Sequence, residues 1–475
     1  MCHYIGKKGY TIQKESFTQT ELNNIRSDMT VKPNNSMNGF ITNVQYPIYR
    51  ESSTKIYLPR YYGIEKFGET DKNILSKGES IELDFQGNLF DYQNNIIEKF
   101  INHVGSSGGG LLDVEPGKGK TVMALNIISK LKTKTLVVVH KTFLLNQWKE
   151  RISQFLPQAK VGLIQGQIID VEGKDIVIGM LQTLSTKDLN ETIVKEFGLT
   201  VYDECHHLSA EVFSNVMIRI HTNYVLGLSG TMTRKDGLTK VFKYFIGPVV
   251  HKEKTDLTTE VLVKAVLFED PYNDEFNEVK TDFRGNPMYS SMITKLCQNE
   301  NRSSMITNII HHELKQNKEQ QIMILAHNKT LIQSLYDSII TFEPSIGFYI
   351  GGMKEDALKE SESKKVIIAT YAMASEGLDI KTLTTLCMAT PKSDVCQSVG
   401  RILRSKHTQP MVIDIIDAHD IFKKQYTKRR TYYHKKQYLI QKYLHLNDYL
   451  GDNYSVEKKQ GKKKEITPKP CLVKL

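Results

Sequence analysis

Leu111-Leu112-Asp113-Val114-Glu115-Pro116-Gly117-Lys118-Gly119-Lys120-Thr121 runs from a short apolar strand through a glycine turn into a helix. The helix is marked by Ala124, Ile127, Ile128 and Leu131, which fall on one face at helical spacing. Glycines in such a turn let backbone N–H groups close round a phosphate at the helix N-terminus. Lys120 stands where an ammonium neutralises β- and γ-phosphate charge, and Thr121 where a hydroxyl can ligate Mg2+. The stretch reads as a P-loop, with Pro116, Gly117, Lys118, Gly119, Lys120 and Thr121 as its binding residues. It departs from the full GxxxxGK[ST] pattern at Val114, which takes the place of the first glycine.

Downstream, the apolar run Leu199-Thr200-Val201-Tyr202 ends in Asp203-Glu204. A carboxylate at a strand tip beside a P-loop can hold Mg2+ through water, and its neighbour can orient and deprotonate an attacking water. Asp203 fits the first role and Glu204 the second, which makes Thr121 and Asp203 the expected metal contacts. The next residues, Cys205-His206-His207, invite a zinc reading, but three consecutive residues do not converge on one tetrahedral ion.

Short apolar runs alternate with helical patterns from about residue 86, including 111–114 and 135–139. The alternation resumes after a polar stretch at 269–286, with strand candidates at 322–326, 366–370, 385–389 and 411–415. Such alternation predicts βαβ units and parallel sheets. The expected fold is α/β, with two tandem parallel-sheet lobes at 86–255 and 256–420. Residues 1–85, rich in Asn, Ser, Thr and Tyr, read as a small N-terminal module with short β structure. Residues 421–475 read as a basic C-terminal extension, helical to about 450 and Lys-rich beyond.

Across 475 residues, 40% hydrophobic and 24% charged composition excludes wholesale disorder, collagen and a disulfide miniprotein. No apolar run approaches the roughly 18 residues that a membrane span needs, and the N-terminus shows no secretory h-region. Six cysteines without a CxxC pair fit a reducing intracellular compartment: cytoplasm or nucleus, or the virion or virus factory of a viral protein. The net charge of +10 sits in the tail, since residues 421–475 hold 15 Lys/Arg against 4 Asp/Glu. Residues 1–420 therefore carry 48 against 49. Tyr426, Tyr432, Tyr433, Tyr438, Tyr443 and Tyr449 interleave with those cations, which points to phosphate contact plus base stacking. The competing reading is a solvated helix with a solubilising end. On either view, a chain ending near residue 420 is expected to keep a folded core.

Three further segments follow in order: Ser229-Gly230-Thr231, the run from Ala369 through Glu376, Gly377 and Asp379, and Gln397-Ser398-Val399-Gly400-Arg401-Ile402-Leu403-Arg404. With these the chain resembles the superfamily 2 helicases of the DExH-box branch over about residues 86–420. The nearest likeness is to XPB-type, phage UvsW-type and large-DNA-virus helicases, whose poxvirus member acts in transcription. The resemblance implies two RecA-like lobes, ATP and Mg2+ as cofactors, and nucleic acid as partner, DNA before RNA. It implies that Gln93, in Phe90-Asp91-Tyr92-Gln93, reads adenine, and that the segments 136–148 and 180–184 touch the strand. It places Gly377 and Asp379 at ribose and strand, couples His206 to Gln397, and makes Arg401 and Arg404 arginine fingers. Ser229-Gly230-Thr231 stands for the Ser-Ala-Thr coupling motif, with glycine for alanine, and Arg234-Lys235-Asp236-Gly237 resembles the Arg-x-Asp sequence after it. The implied catalytic set is Lys120, Asp203, Glu204, Gln397, Arg401 and Arg404.

Other readings are weaker. A duplex translocase that never separates strands has the same motifs, as does an RNA helicase in transcription. A GTPase lacks its guanine motif here, because Asn328-Lys329-Thr330 is followed by Leu331. A catalytically silent scaffold has no use for Lys120, Asp203, Glu204 and Arg404. Asp274, Glu278 and Lys280 hint at a nuclease triad, but their spacing is short and their setting polar. The Tyr/Arg segment at 46–62 is either ordinary β packing or a DNA-sensing surface. Trp148 is expected to pack with Leu144 and Leu145 on the apolar face of its helix. Transcription, repair or replication proteins are the expected protein partners.

Overall fold

Apolar runs too short for helices become strands buried on both faces, and helices cover them. The computed structural model describes residues 3–32, 45–70, 72–115, 117–204, 210–230, 239–252, 261–375, 380–403 and 407–457. The chain divides into two units, Met1–Lys254 and Thr255–Leu475.

The first unit opens with β1 (Tyr4–Gly6), β2 (Gly9–Gln13), β3 (Thr30–Val31), β4 (Tyr46–Pro47), β5 (Arg50–Glu51) and β6 (Lys55–Leu58). Four of these form an antiparallel sheet in the order β1-β2-β6-β5, while β3 pairs with β4. Its buried residues, among them Tyr10, Ile12 and Ile56, continue into one face of the larger sheet that follows. Tyr62, on the helix Arg60–Phe67, meets Tyr244 edge to face at 5.2 Å. Residues just before 86 also strap onto this unit: Glu79 N donates to Glu196 O at 2.8 Å, and Ile81 N to Lys132 O at 3.1 Å. The buried Lys134 is neutralised there by Glu79 and Glu196.

The larger sheet comprises β7 (Gly109–Asp113), β8 (Thr135–Val139), β9 (Val161–Gln165), β10 (Ile168–Asp170), β11 (Ile176–Met180), β12 (Leu199–Tyr202), β13 (Tyr224–Ser229) and β14 (Val249–Lys252). Their order is β10-β9-β11-β8-β12-β13-β7-β14, parallel except for the β9–β10 pair. The second unit repeats the architecture with β15 (Leu262–Phe268), β16 (Gln321–Ala326), β17 (Ile346–Tyr349), β18 (Val366–Thr370), β19 (Leu383–Met388), β20 (Met411–Asp417), β21 (Leu439–Tyr443) and β22 (Ser455–Val456). The order is β17-β18-β16-β19-β20-β15-β21-β22, parallel except for β21–β22. These are the two tandem parallel-sheet lobes of an α/β fold. Among the described residues no helix is long and apolar enough to cross a membrane.

The basic C-terminal segment differs from its sequence reading. The helix Asp420–Lys435 is capped by Lys436, and Gln437 with its left-handed φ of 57° turns the chain back. Residues 439–443 then form β21, parallel to β15, where a continuing helix was expected. Apolar and aromatic residues at 438, 440 and 443 fill a buried strand position better than one helix face. Tyr426, Tyr433, Tyr438, Tyr443 and Tyr449 are buried, so the base-stacking reading fails for these five. Arg429 is buried too and grips Asp414 of β20 through two hydrogen bonds of 2.9 and 2.8 Å. Tyr433 donates a third to the same carboxylate at 2.9 Å. Asp274, Glu278 and Lys280 are all exposed to solvent, the first on the short helix Asp274–Asn277 where a loop was expected.

A chain ending at Asp420 therefore loses β21 and leaves the Asp414 charge buried without its cation. We expect it to lose the folded second unit, read as protease sensitivity and loss of that unit's melting transition. Arg429→Ala should cost about 3–5 kcal/mol by urea titration, and Asp414→Leu combined with Arg429→Met should recover most of that. A truncated chain with an intact second transition would contradict this packing.

Candidate functional site

Parallel strands deliver their carboxyl ends to one edge, and the residues just beyond that edge meet. In the first unit β13 lies between β12 and β7, with Tyr202 opposite Gly227 and Ser229 opposite Asp113. The P-loop thus leaves one strand away from Asp203-Glu204. Val114 N donates to Ser229 O at 2.9 Å, which ties the loop's first residue to the segment expected to couple the lobes.

Gly117 and Gly119 have φ of 85° and 79°, a left-handed backbone that glycine adopts without strain. A Cβ on Gly119 would lie 2.4 Å from Gln93 Nε2 and would displace that amide from the loop. Gln93 is buried and staples the loop: its Nε2 donates to Lys118 O at 3.2 Å, and its Oε1 accepts from Phe90 N at 3.0 Å. Tyr92 OH donates to the same Lys118 carbonyl at 3.1 Å. Lys120 and Thr121 open the helix Lys120–Leu131.

Lys120 Nζ meets Glu204 Oε1 at 2.9 Å and also donates to Val114 O at 3.4 Å. The pair is only 9% and 19% exposed, so water screens it poorly. Glu204 holds a left-handed φ of 47°, a conformation costing on the order of 1 kcal/mol in a residue with a Cβ. Asp203 is buried, and its Oδ2 accepts from Trp148 Nε1 at 2.9 Å. Burial, and then the Glu204 carboxylate, raise the Asp203 carboxyl to about 6, against the opposing pull of the Trp148 N–H and the Lys120 ammonium.

Gln182 Nε2 donates to His140 O at 2.8 Å, joining two segments expected to face the strand. In the second unit Gln397 is half-buried on the helix Cys396–Val399, and Arg401, 6% exposed, follows on a turn. Pro116, Cys205, His206, His207, Thr231, Arg234-Lys235-Asp236-Gly237, Gly377, Asp379 and Arg404 lie outside the described residues. The structure thus brings Gln93, Gly117, Lys118, Gly119, Lys120, Thr121, Asp203 and Glu204 together in the first unit. Neither packing nor base stacking, the two sequence readings of Trp148, uses its ring N–H. The residue is fully buried as expected, but an indole N–H in an apolar core needs an acceptor, and that requirement was the available signal.

Hard oxygen donors from Asp203 and Thr121, beside an ammonium and a helix N-terminus, suit a nucleoside triphosphate with Mg2+. The fold and this site define a P-loop ATPase built from RecA-like lobes. Residues 86–234 match the family model described as Type III restriction enzyme, res subunit. A protein of Acanthamoeba polyphaga mimivirus named "Putative ATP-dependent RNA helicase" is 36% identical over 464 residues, which is 95% of this chain and 89% of the relative. "DNA 3'-5' translocase XPB2" of Sulfurisphaera tokodaii is 26% identical over 399 residues, 75% of this chain and 88% of its own. The solved structure of S. cerevisiae Dbp5 bound to RNA and ADP BeF3 matches at TM-score 0.52 and 12% identity, over 75% of this chain and 90% of that one, a likeness of fold. The chain belongs to the superfamily 2 helicases, in the DExH-box branch with helicases of large DNA viruses and XPB-type proteins. It is an ATP-dependent nucleic-acid motor enzyme.

The raised Asp203 carboxyl sets a pH dependence in the nucleotide-free protein. The folded state binds this proton more tightly than the unfolded chain, whose carboxyl titrates near about 4, so stability falls as pH rises from about 4 through 6. Asp203→Asn should melt above the wild type at about pH 7.5, and the gap should close toward about pH 5. Thermal melts without Mg2+ or nucleotide check this; a gap independent of pH would show that the buried charge is not its cause.

Proposed function

We propose that this chain is a DNA-directed motor that hydrolyses Mg2+·ATP at the site built from the P-loop and Asp203-Glu204. The observation that carries the reading is the Lys120–Glu204 pair. In the nucleotide-free protein each group neutralises the other. An incoming phosphate takes the Lys120 ammonium and releases Glu204 to orient and deprotonate the attacking water. Mg2+, when bound, supplies charge neutralisation between the phosphates. Asp203 and the Thr121 hydroxyl would hold it, while the backbone N–H groups of Gly117, Lys118 and Gly119 would cradle the phosphates. Gln93 lies beside the loop for adenine recognition.

In this reading residues 86–255 and 256–420 carry the motor motifs of the two lobes, while the N-terminal module at 1–85 shares the core of the first and the basic segment at 421–475 supplies β21 and β22 to the sheet of the second. Gly377 and Asp379 act at ribose and strand, Gln397 takes the coupling contact from His206, and Arg401 and Arg404 act on the γ-phosphoryl. A planar, always charged guanidinium suits the charge spread over that group. The DNA reading is supported by the translocase name of the XPB2 relative. An RNA substrate is the second reading, favoured by the printed name of the mimivirus relative.

Lys120→Ala and Glu204→Gln should each remove ATP turnover, the second while keeping nucleotide affinity, since the cradle survives loss of the base. Near-normal turnover in Glu204→Gln would overturn its assignment as base. Arg404→Ala should lower kcat roughly tenfold or more with little change in ATP affinity, because its contact strengthens in the transition state. ATPase rates on single-stranded, duplex and forked DNA and on RNA, followed by strand displacement, decide the substrate. DNA should stimulate most; stimulation by RNA alone transfers the assignment to RNA.

A further inference from the structure

Trp148 is the chain's single tryptophan and is fully buried on the helix Thr142–Phe155. Its helix neighbours Leu144, Leu145 and Ile152 are apolar, and the same core fills with aliphatic side chains from β7, β8 and β12. Packing of this kind asks for bulk and not for a hydrogen-bond donor. Yet the one polar atom of the ring, Nε1, donates to Asp203 Oδ2 at 2.9 Å. The Asp203 main-chain N–H meanwhile donates to Val138 O of β8 at 3.2 Å, in the strand that leads into Trp148's helix. Asp203 is gripped from the same side at backbone and side chain. A carboxylate with one oxygen held by a fixed donor keeps one rotamer and presents its other oxygen in a constant direction.

We propose that Trp148 is a positioning residue of the ATPase reaction, whose indole N–H orients Asp203 for the Mg2+·nucleotide, so that the single indole also reports on occupation of that site. This rests on the reading of Asp203 as a metal contact. Phenylalanine at 148 would satisfy the core and leave the carboxylate free to rotate. The effect should therefore appear in metal affinity and kcat, over and above the stability lost with a buried hydrogen bond, and hardly in the KM for ATP.

Because there is one tryptophan, growth of a tryptophan auxotroph on β-(3-benzothienyl)alanine replaces this residue alone, putting sulfur in place of the N–H at nearly constant shape. Binding of Mn2+ in the presence of ADP, followed by electron paramagnetic resonance, gives a readout independent of turnover. The analogue protein and Trp148→Phe should bind Mn2+ roughly tenfold or more weakly, with kcat reduced in step. Leu145→Ala, which removes buried bulk from the same helix without touching Asp203, should lower Tm and leave Mn2+ affinity unchanged. In the wild type and in Glu204→Gln, Mg2+·ADP should shift the Trp148 emission, and ADP with EDTA should not. Wild-type Mn2+ affinity and kcat in the analogue protein would overturn the proposal, as would its failure to fold, since the N–H would then serve the fold. If Asp203→Ala itself keeps Mn2+·ADP affinity and turnover, the reading of Asp203 fails instead.

Discussion

Lys120 and Glu204 meet because β7 and β12 run parallel, end on one edge of one sheet and are separated by β13 alone. Everything chemical in the first unit hangs on that register. A slip of one residue in β12 would turn every side chain to the opposite face and carry the carboxylates away from the loop. The register is held by runs such as Leu136, Val137, Val138 and Val139, buried on both faces and covered by helices. The left-handed backbone at Glu204 is a local cost borne where a carboxylate has to face the P-loop lysine. With its charge neutralised inside the protein, the Lys120 ammonium waits for phosphate without being left unpaired.

The second unit solves a different problem. Its central strand β20 carries two buried carboxylates, Asp414 and Asp417, in an otherwise apolar run. Arg302 takes Asp417 through bonds of 2.6 and 2.9 Å, and Arg429 takes Asp414. Each arginine comes from a helix laid against the sheet, at Glu300–Gln316 and Asp420–Lys435. Buried pairs of this kind add little net stability, but breaking one is costly, so they fix which helix lies where. Part of the basic charge at 421–475 is therefore spent inside the fold, which removes Arg429 from any count of phosphate contacts.

Sequence made the α/β class, both sheets and most of the candidate site legible for physical reasons. Strands at 135–139, 199–202, 366–370 and 411–417 announce themselves as apolar runs of strand length between amphipathic helices. The P-loop and Asp203-Glu204 announce themselves as chemistry at strand ends. The strand at 439–443 stayed hidden, because a Lys- and Tyr-rich stretch reads as a solvated helix until its tyrosines are seen to be buried. The Trp148–Asp203 bond stayed hidden because 55 residues separate its partners, and helical spacing explains the burial of Trp148 without its N–H. The closure of the first unit's core over residues 5–62 was equally illegible, since it depends on how two small sheets meet.

The exchange of the Lys120–Glu204 pair for phosphate is the step on which the account turns. It is tested most directly by a crystal structure of the full chain with Mg2+, ADP and beryllium fluoride. The account predicts Lys120 Nζ on the phosphate and fluoride ligands, Glu204 beside the attacking water, and the 2.9 Å pair broken. A bound nucleotide with that pair intact, or a nucleotide seated away from the P-loop, would contradict it.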